Sequence, residues 1–345
     1  MPVHHSVSEA ITQLRFPLTV FIVMYHCYCI MTPHNQPLYA AIIYPFGLIM
    51  GETGVPAFFF ISGYLFFVSQ RSYFSKLKTR ASSLLLPYIL WNGLVLLAYI
   101  VLMFLGRPLD IADKNISSFN IYDYIRVFID RGKWANGNGQ PLLCPFWYIR
   151  NLIILSIGAP IIKYMMTGVK SVFSLFILSL WWISLPYNGM IAQSFLFFSM
   201  GAFFSINHIS PILTYGRIHT RIIVLLWLFL IISDFITHFC ITIGGGLYIH
   251  RFVLIFNIFI LFLLSSIVLK HIKVIPVLEK SCFWIYAFHY PFTLLLRYMS
   301  HEFNDWEQFA FYWLSVFVIL SICVVTYVVG SHTIPKIMNI LTGNR

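Results

Sequence analysis

The chain contains 345 residues, of which 59% are hydrophobic and only 10% are charged. A soluble domain has about 45–50% apolar and roughly 25% charged residues, so this composition excludes an ordinary soluble protein and indicates a membrane protein. The net charge of +11 does not indicate a nucleic-acid partner, because the Lys and Arg of membrane proteins concentrate in cytoplasmic loops. We therefore expect membrane lipid as a partner and no nucleic acid.

Ten apolar segments along the chain are candidate membrane spans, since a spanning helix needs about 20 mostly apolar residues. Backbone groups in lipid must be paired within the segment, so we predict an all-α, polytopic integral membrane protein. No separate soluble domain is visible, and we predict one membrane domain over residues 1–345. The ten segments cover residues 14–32, 53–70, 82–105, 147–165, 171–186, 191–206, 221–240, 248–269, 281–299 and 308–330.

The basic residues give these predicted helices an orientation. If the N-terminus is inside, thirteen Lys and Arg fall in the inner loops and five fall in the outer loops. Basic residues mark the cytoplasmic side, so we predict that the N- and C-termini are both cytoplasmic. All five outer basic residues lie in one long loop at about residues 106–146. This outer loop either contacts substrate or simply connects two spans.

The first span contains two ionisable residues, Arg15 and His26. Such groups within spans are rare, costly and functional by default. Eleven helical steps of 100° bring both residues to the same face, about 16 Å apart along the axis. They are placed to contact opposite ends of one elongated ligand, with its anionic end at Arg15 and its reacting end at His26. The alternative is a snorkelling arginine and a histidine that bonds between helices.

The second span and the loop after it contain two further signals. Ser62 and Gly63 are small residues among phenylalanines, and they predict a close approach to another helix. The loop that follows contains three basic residues, Lys76, Lys78 and Arg80. It either binds phosphates or is a solvated positive-inside loop.

Polar side chains recur in three later spans. Arg150 and Asn151 lie just inside the predicted outer surface in the fourth span. In the seventh span Asp234 and His238 are i,i+4 neighbours and are expected to pair. The ninth span has a polar stripe at i+3 and i+4 spacing, formed by Tyr286, His289, Thr293 and Arg297.

Five segments in this order resemble the acyltransferase-3 family of integral membrane acyltransferases. The family's first span begins with arginine, ten residues and histidine, matched here by Arg15 and His26. One departure is Ser83, which stands where many members repeat a second arginine after the one in the inner loop. The other four segments are "GVPAFFFISGYLFF", "KLKTRASSLLLPYILW", "FWYIRNLIIL" and "IYAFHYPF".

The resemblance implies transfer of an acyl group, usually acetyl, from cytoplasmic acyl-CoA to a hydroxyl of a sugar or lipid-linked glycan. It also implies a location in the bacterial cytoplasmic membrane. Acetyl-CoA or another acyl-CoA would be a cosubstrate, and we expect no permanently bound cofactor and no metal. A non-enzymatic transporter or flippase of a glycan-lipid is the alternative function.

Site residues follow from the same resemblance. His26 is the expected general base, because histidine accepts a proton near neutral pH, although a transient acyl-histidine remains open. Arg15 and His289 complete the expected catalytic set. The expected cosubstrate-binding residues are Arg15, Lys76, Lys78 and Arg80, and the expected substrate-binding residues or oxyanion donors are Arg150, Tyr286 and Trp147.

Overall fold

The computed structural model is almost entirely helical. Residues 186–188, at the junction of the fifth and sixth predicted spans, and parts of the outer loop lie outside the residues that it describes. A single short pair of antiparallel strands occurs in the described part of the outer loop, formed by β1 (Asp110–Ile111) and β2 (Lys114–Asn115). The described residues are 2–31, 37–111, 114–131, 139–185, 189–212, 217–239, 246–267, 271–300 and 303–344.

Most helices follow one another with short connections, and the long outer loop between α5 and α7 is the exception. π-helical turns join α2 to α3 at Pro45–Met50 and α4 to α5 at Ala81–Leu85. The first eight helices are α1 (Pro2–Met31), α2 (Pro37–Tyr44), α3 (Gly51–Val68), α4 (Tyr73–Arg80), α5 (Leu86–Phe104), α6 (Ile121–Arg126), α7 (Trp147–Ile157) and α8 (Ala159–Met165). The remaining helices are α9 (Lys170–Ser184), α10 (Met190–Ile206), α11 (Arg217–Phe239), α12 (Gly246–Ile267), α13 (Pro276–Met299), α14 (Asp305–Thr333) and α15 (Pro335–Leu341).

Six helical segments in the described part of the chain are long and apolar enough to cross a membrane. The consecutive helices α7 and α8, bent by 69°, make a seventh if they form one span. These segments support a multi-pass membrane protein. The six are Val7–Cys29, Ala41–Val68, Tyr73–Phe104, Ile218–Phe239, Gly246–Ile267 and Trp306–Thr333.

The other predicted spans are helices that are too short or too polar to meet the length and hydropathy required of a membrane span. The helices α9 and α10 coincide with the fifth and sixth predicted spans but have only 15 and 17 residues. The ninth predicted span coincides with α13, which has 24 residues, but Glu279, Lys280 and His289 lower its hydropathy. Each predicted span therefore coincides with helical structure, whereas the number of ten spans and the orientation of the termini stay predictions.

Two glycines allow α3 and α10 to pack with their backbones almost in contact. A β-carbon added at Gly63 would lie 2.1 Å from the carbonyl oxygen of Phe198, and one at Gly201 would lie 1.9 Å from that of Phe60. Any larger side chain would collide with backbone at both points. The close helix approach predicted at Gly63 is confirmed, while Ser62 points to α7, where its Oγ lies 3.2 Å from Tyr148 Oη.

The first helix occupies the centre of the bundle, where it packs against α3, α13 and α14. Hydrogen bonds between helices pair several polar groups of this interior. Tyr312 of α14 donates to the carbonyl of Met24 at 3.2 Å, and Asn257 of α12 donates to Thr53 of α3 at 2.8 Å. Arg15 and His26 therefore lie on a helix that has other helices packed on several sides.

A salt bridge and a capping box order part of the outer loop. Asn120 caps α6 by accepting from the backbone N–H of Asp123, whose carboxylate accepts from the N–H of Asn120. Lys114 Nζ lies 2.6 Å from the same carboxylate. Desolvation opposes the charged form, but the bonds from Lys114 and Asn120 hold the pKa of Asp123 below its ordinary value. This carboxylate therefore stays charged as it ties β2 to α6.

Candidate active site

A cavity of about 520 Å³ lies between α1, α3, α7 and α13, and we call it the first cavity. Three basic side chains line it, namely Arg15, Arg80 and Lys280. Most of the remaining wall is apolar, formed for example by Phe58, Leu65 and Phe283. The cavity thus combines cations, which suit phosphates, with apolar walls that suit a hydrocarbon chain.

Arg15 forms an ion pair with Glu279 in the wall of this cavity. The side chain of Arg15 is 42% exposed and that of Glu279 is 20% exposed. Exposed ion pairs contribute only about 0–1 kcal/mol, so an incoming anion is able to replace the carboxylate. The sequence predicts an anionic ligand for Arg15 and no protein partner, because nothing local links it to a residue of α13.

Of the three loop residues predicted to bind phosphate, only Arg80 is among the residues that line the first cavity. Lys78 is exposed, and Lys76 lies with its Nζ 5.0 Å from the centre of the Phe66 ring. Their positions do not support the predicted phosphate-binding role for these two lysines. Lys280, one of the thirteen basic residues of the predicted inner loops, lines the cavity instead.

His26 and His289 come together from α1 and α13, with ring centroids 5.0 Å apart. His289 is fully buried, and its Nδ1 lies 2.9 Å from the carbonyl oxygens of both Ile285 and Tyr286. Because carbonyls only accept, Nδ1 bears the hydrogen and Nε2 is an acceptor. This Nε2 has no hydrogen-bond partner among the described residues. Buried polar atoms are usually paired, so an unpaired acceptor beside His26 suggests a functional role.

A second cavity of about 560 Å³ is lined by His26 together with residues of α3, α10, α11 and α12. Two side chains, Ile22 and Val55, line both cavities. The two cavities therefore adjoin at these side chains, and His26 lies one helical turn beyond Ile22 on α1. Arg15 lines the first cavity and His26 lines the second.

The three predicted substrate-binding residues have different positions. Tyr286 lines the first cavity, and its hydroxyl donates to the carbonyl of Pro145. Trp147 lines the second cavity. Arg150 is in neither lining, because its guanidinium donates to the carbonyl of Ile129 in the outer loop and to Asn151. Its position does not support the predicted role for Arg150 and instead shows a link between α7 and the outer loop.

A polar network in the second cavity replaces the expected pair of Asp234 and His238. Asp234 Oδ2 lies 2.8 Å from His250 Nδ1, and Tyr44 donates to Asp234 Oδ1 at 3.3 Å. His250 Nε2 lies 3.0 Å from Glu52 Oε2. His238 stacks on the Tyr44 ring instead, with centroids 4.3 Å apart. Sequence reasoning missed Glu52, although an acidic residue in the apolar "GETG" segment was a usable signal.

Comparison with known proteins identifies the family. The family model described as an acyltransferase domain matches residues 8–328. The chain belongs to the acyltransferase-3 family. The succinoglycan biosynthesis protein ExoH of Rhizobium meliloti (strain 1021) is 22% identical over 366 residues, which cover 99% of this chain and 93% of ExoH. No solved structure matches the chain.

Membership of the acyltransferase-3 family makes the protein an acyltransferase and disfavours the flippase alternative. The matched region contains both cavities and both histidines. In this acyltransferase-3 protein Arg15 lines the first cavity and His26 lines the adjoining second cavity. A donor and an acceptor are thus able to approach the junction from different sides.

Proposed function

We propose that this protein is an O-acyltransferase of the bacterial cytoplasmic membrane. It transfers an acyl group, in the first instance acetyl, from cytoplasmic acyl-CoA to a hydroxyl of an envelope glycan or lipid-linked sugar. The observation that carries the proposal is the placement of Arg15 and His26 in two cavities that meet at Ile22 and Val55. Similarity to ExoH, a protein named for succinoglycan biosynthesis, supports a glycan as the acceptor.

In this proposal the first cavity binds the donor. Acyl-CoA has a phosphate-rich head and a long thin arm that ends in a thioester. Arg15, Arg80 and Lys280 bind the phosphates, one of which replaces Glu279 as the partner of Arg15. The arm then follows the apolar wall to Ile22, which brings the thioester close to His26. The separation of about 16 Å between Arg15 and His26 along α1 is within the reach of that arm.

His26 activates the acceptor at the junction. Its imidazole takes the proton of the acceptor hydroxyl as the oxygen attacks the thioester carbonyl carbon. The carbon–sulfur bond then breaks, and the CoA thiolate leaves and takes the proton back from His26. In the acyl-histidine alternative His26 itself attacks the thioester, and the acceptor hydroxyl then receives the acyl group from the ring.

His289 is a positioning residue in this scheme. Two carbonyls of α13 bind its Nδ1–H, so its Nε2 is fixed as an acceptor that faces the neighbourhood of His26. When His26 gains a proton it has two N–H groups, and His289 is placed to accept one of them. The other nitrogen of His26 then remains directed at the acceptor.

The proposed function is tested with purified protein in lipid nanodiscs, acetyl-CoA labelled in the acetyl group, and envelope glycan extracted from a strain that lacks this protein. We expect label to appear in the glycan and free CoA to be released in equal amount. Butyryl-CoA is assayed in parallel to cover a longer acyl group. Absence of transfer from both donors would overturn the proposal, and movement of glycan-lipid without CoA release would establish the flippase instead.

A further inference from the structure

The second cavity contains polar groups that take no part in the proposed binding of acyl-CoA. Glu52, Gln193 and Trp147 all line it, together with His26. These groups come from three different helices, α3, α10 and α7, which the fold brings to one space. The question is which ligand fits them.

The protein binds one carboxylate oxygen of Glu52 and leaves the other available. Its Oε2 lies 3.0 Å from His250 Nε2, while His250 Nδ1 lies 2.8 Å from Asp234. This chain from α3 through α12 to α11 leaves Glu52 Oε1 without a hydrogen-bond partner among the described residues. The side chain of Glu52 is 29% exposed, and it lines the second cavity. A carboxylate oxygen held in this way accepts a hydrogen bond from a ligand hydroxyl.

Gln193 provides the second unused group. Gln193 as a whole residue is only 7% exposed. In the described part of the chain its side-chain amide has no hydrogen-bond partner. Neither the carbonyl nor the NH₂ of this amide is completely enclosed by protein. The amide lines the second cavity, so a ligand there is able to bond both ends of it. This is an observation independent of Glu52.

The remaining walls favour a neutral ligand that contains both flat apolar faces and hydroxyls. Trp147 and Trp182 supply aromatic surface, and the indole N–H of Trp147 is a further donor. Arg251 is the basic residue of this lining, but its guanidinium donates to the carbonyls of Trp182 and Ile183 at the end of α9. Among the described residues that line the second cavity no other Lys or Arg is present, whereas three of them line the first cavity.

We propose that the second cavity binds the acceptor as a neutral sugar ring, with Glu52 and Gln193 as the groups that bond its hydroxyls. The inference rests on the proposed acyl transfer and specifies the acceptor subsite. The sugar stacks on the tryptophan surface and presents one hydroxyl to His26. Asp234 and His250 act through Glu52 by holding its carboxylate.

The test compares Glu52→Gln and Gln193→Leu with a matched control, Gln70→Leu, an exposed glutamine outside both cavities. Initial rates of label transfer from acetyl-CoA are measured over a range of concentrations of the glycan extracted from the deletion strain. We expect each cavity variant to raise the KM for this glycan at least tenfold. The KM for acetyl-CoA should stay within twofold of wild type, and the control should match wild type in both constants.

The outcomes separate this inference from the function on which it rests. If wild type transfers label but both cavity variants retain the wild-type KM for glycan, the acceptor subsite is wrong and the acyltransferase stands. A rise in the KM for acetyl-CoA instead would assign the second cavity to the donor. If Glu52→Gln does not fold, Gln193→Leu decides, because it removes a group that bonds no other described side chain.

Discussion

His26 of α1 and His289 of α13 lie with their imidazole centroids 5.0 Å apart, and His289 Nε2 has no hydrogen-bond partner in the part of the chain that the structure describes. The two residues come from the first and the ninth predicted spans, so the pair exists only once these helices have packed together. The fold thus creates a site that neither span contains alone.

Replacement of His26 by alanine should abolish acyl transfer, since loss of a positioned base typically costs about 10²–10⁴-fold in rate. Membrane insertion should be nearly unchanged, because the change removes a polar group from an apolar helix. Acyl-CoA binding should also survive in His26→Ala but weaken in Arg15→Ala. Turnover and binding are measured on the same purified variants. Near-normal turnover by a properly inserted His26→Ala protein would make the histidine structural.

Replacement of His289 by alanine should lower kcat while the KM for acyl-CoA stays unchanged, because the side chain acts through His26. The pH profile of kcat should also shift, since the charged form of His26 loses an acceptor. His289→Gln should restore part of the rate, because its amide oxygen is able to accept the same N–H. The matched control is Thr293→Val, one turn further along the same buried face. An unshifted profile in an active His289→Ala protein would leave α13 with a purely structural histidine.

Arg80→Ala should weaken acyl-CoA binding by about 1–3 kcal/mol, as expected for the loss of a charge-assisted bond to phosphate. Lys78→Ala is the control on the same helix, because Lys78 is exposed and does not line the first cavity. Titration of both variants with CoA by calorimetry gives the two dissociation constants. Equal weakening in both would show a diffuse charge effect of the loop rather than a defined phosphate contact.

Gly201→Ala should lower the thermal midpoint of the protein in detergent strongly, because its new β-carbon would meet the Phe60 carbonyl at 1.9 Å. Overpacking of a tight interior costs about 1–3 kcal/mol or more. Gly93→Ala on α5 is the control, since nothing lies within 4 Å of a β-carbon at that position. Alanine stabilises a helix by about 1 kcal/mol relative to glycine. The Gly93→Ala control should therefore have an unchanged or slightly higher thermal midpoint. A similar decrease of the midpoint in both variants would contradict the close packing of α3 on α10.

A cysteine at Ile121 should react with an impermeant maleimide added to intact cells, because we predict the outer loop to be extracytoplasmic. Ile121 is 77% exposed at the start of α6, so the new thiol is accessible. Lys78→Cys is the counterpart in the predicted inner loop and should react only after the membrane is disrupted. Wild-type labelling gives the background of the native thiols. The reverse pattern would invert the topology and place the first cavity's cations on the outside.

The features that sequence reasoning predicted best are those set within one helix. Hydropathy located helical structure at each predicted span, and helical periodicity placed Arg15 and His26 on one face of α1. The small size of Gly63 also predicted a close contact without naming its partner. Each of these follows from the repeat of the helix or from the volume of one residue.

Pairings between distant segments could not be predicted in this way. Glu279 neutralises Arg15, and Glu52 reaches Asp234 through His250, because tertiary packing brings α3, α12 and α13 against α1 and α11 against α12. A local rule paired Asp234 with His238 instead. The same limit applied to the basic loop, where composition suggested three phosphate ligands and only Arg80 faces the first cavity.

The low hydropathy of α13 has a consequence for how the protein is made. A helix that contains Glu279, Lys280 and His289 is a poor substrate for insertion by the translocon on its own. It packs against α1, which is synthesised long before it, and against α14, which follows it directly. If α13 spans the bilayer as predicted, its retention there depends on these neighbours, and His289 joins His26 only when biogenesis is nearly complete.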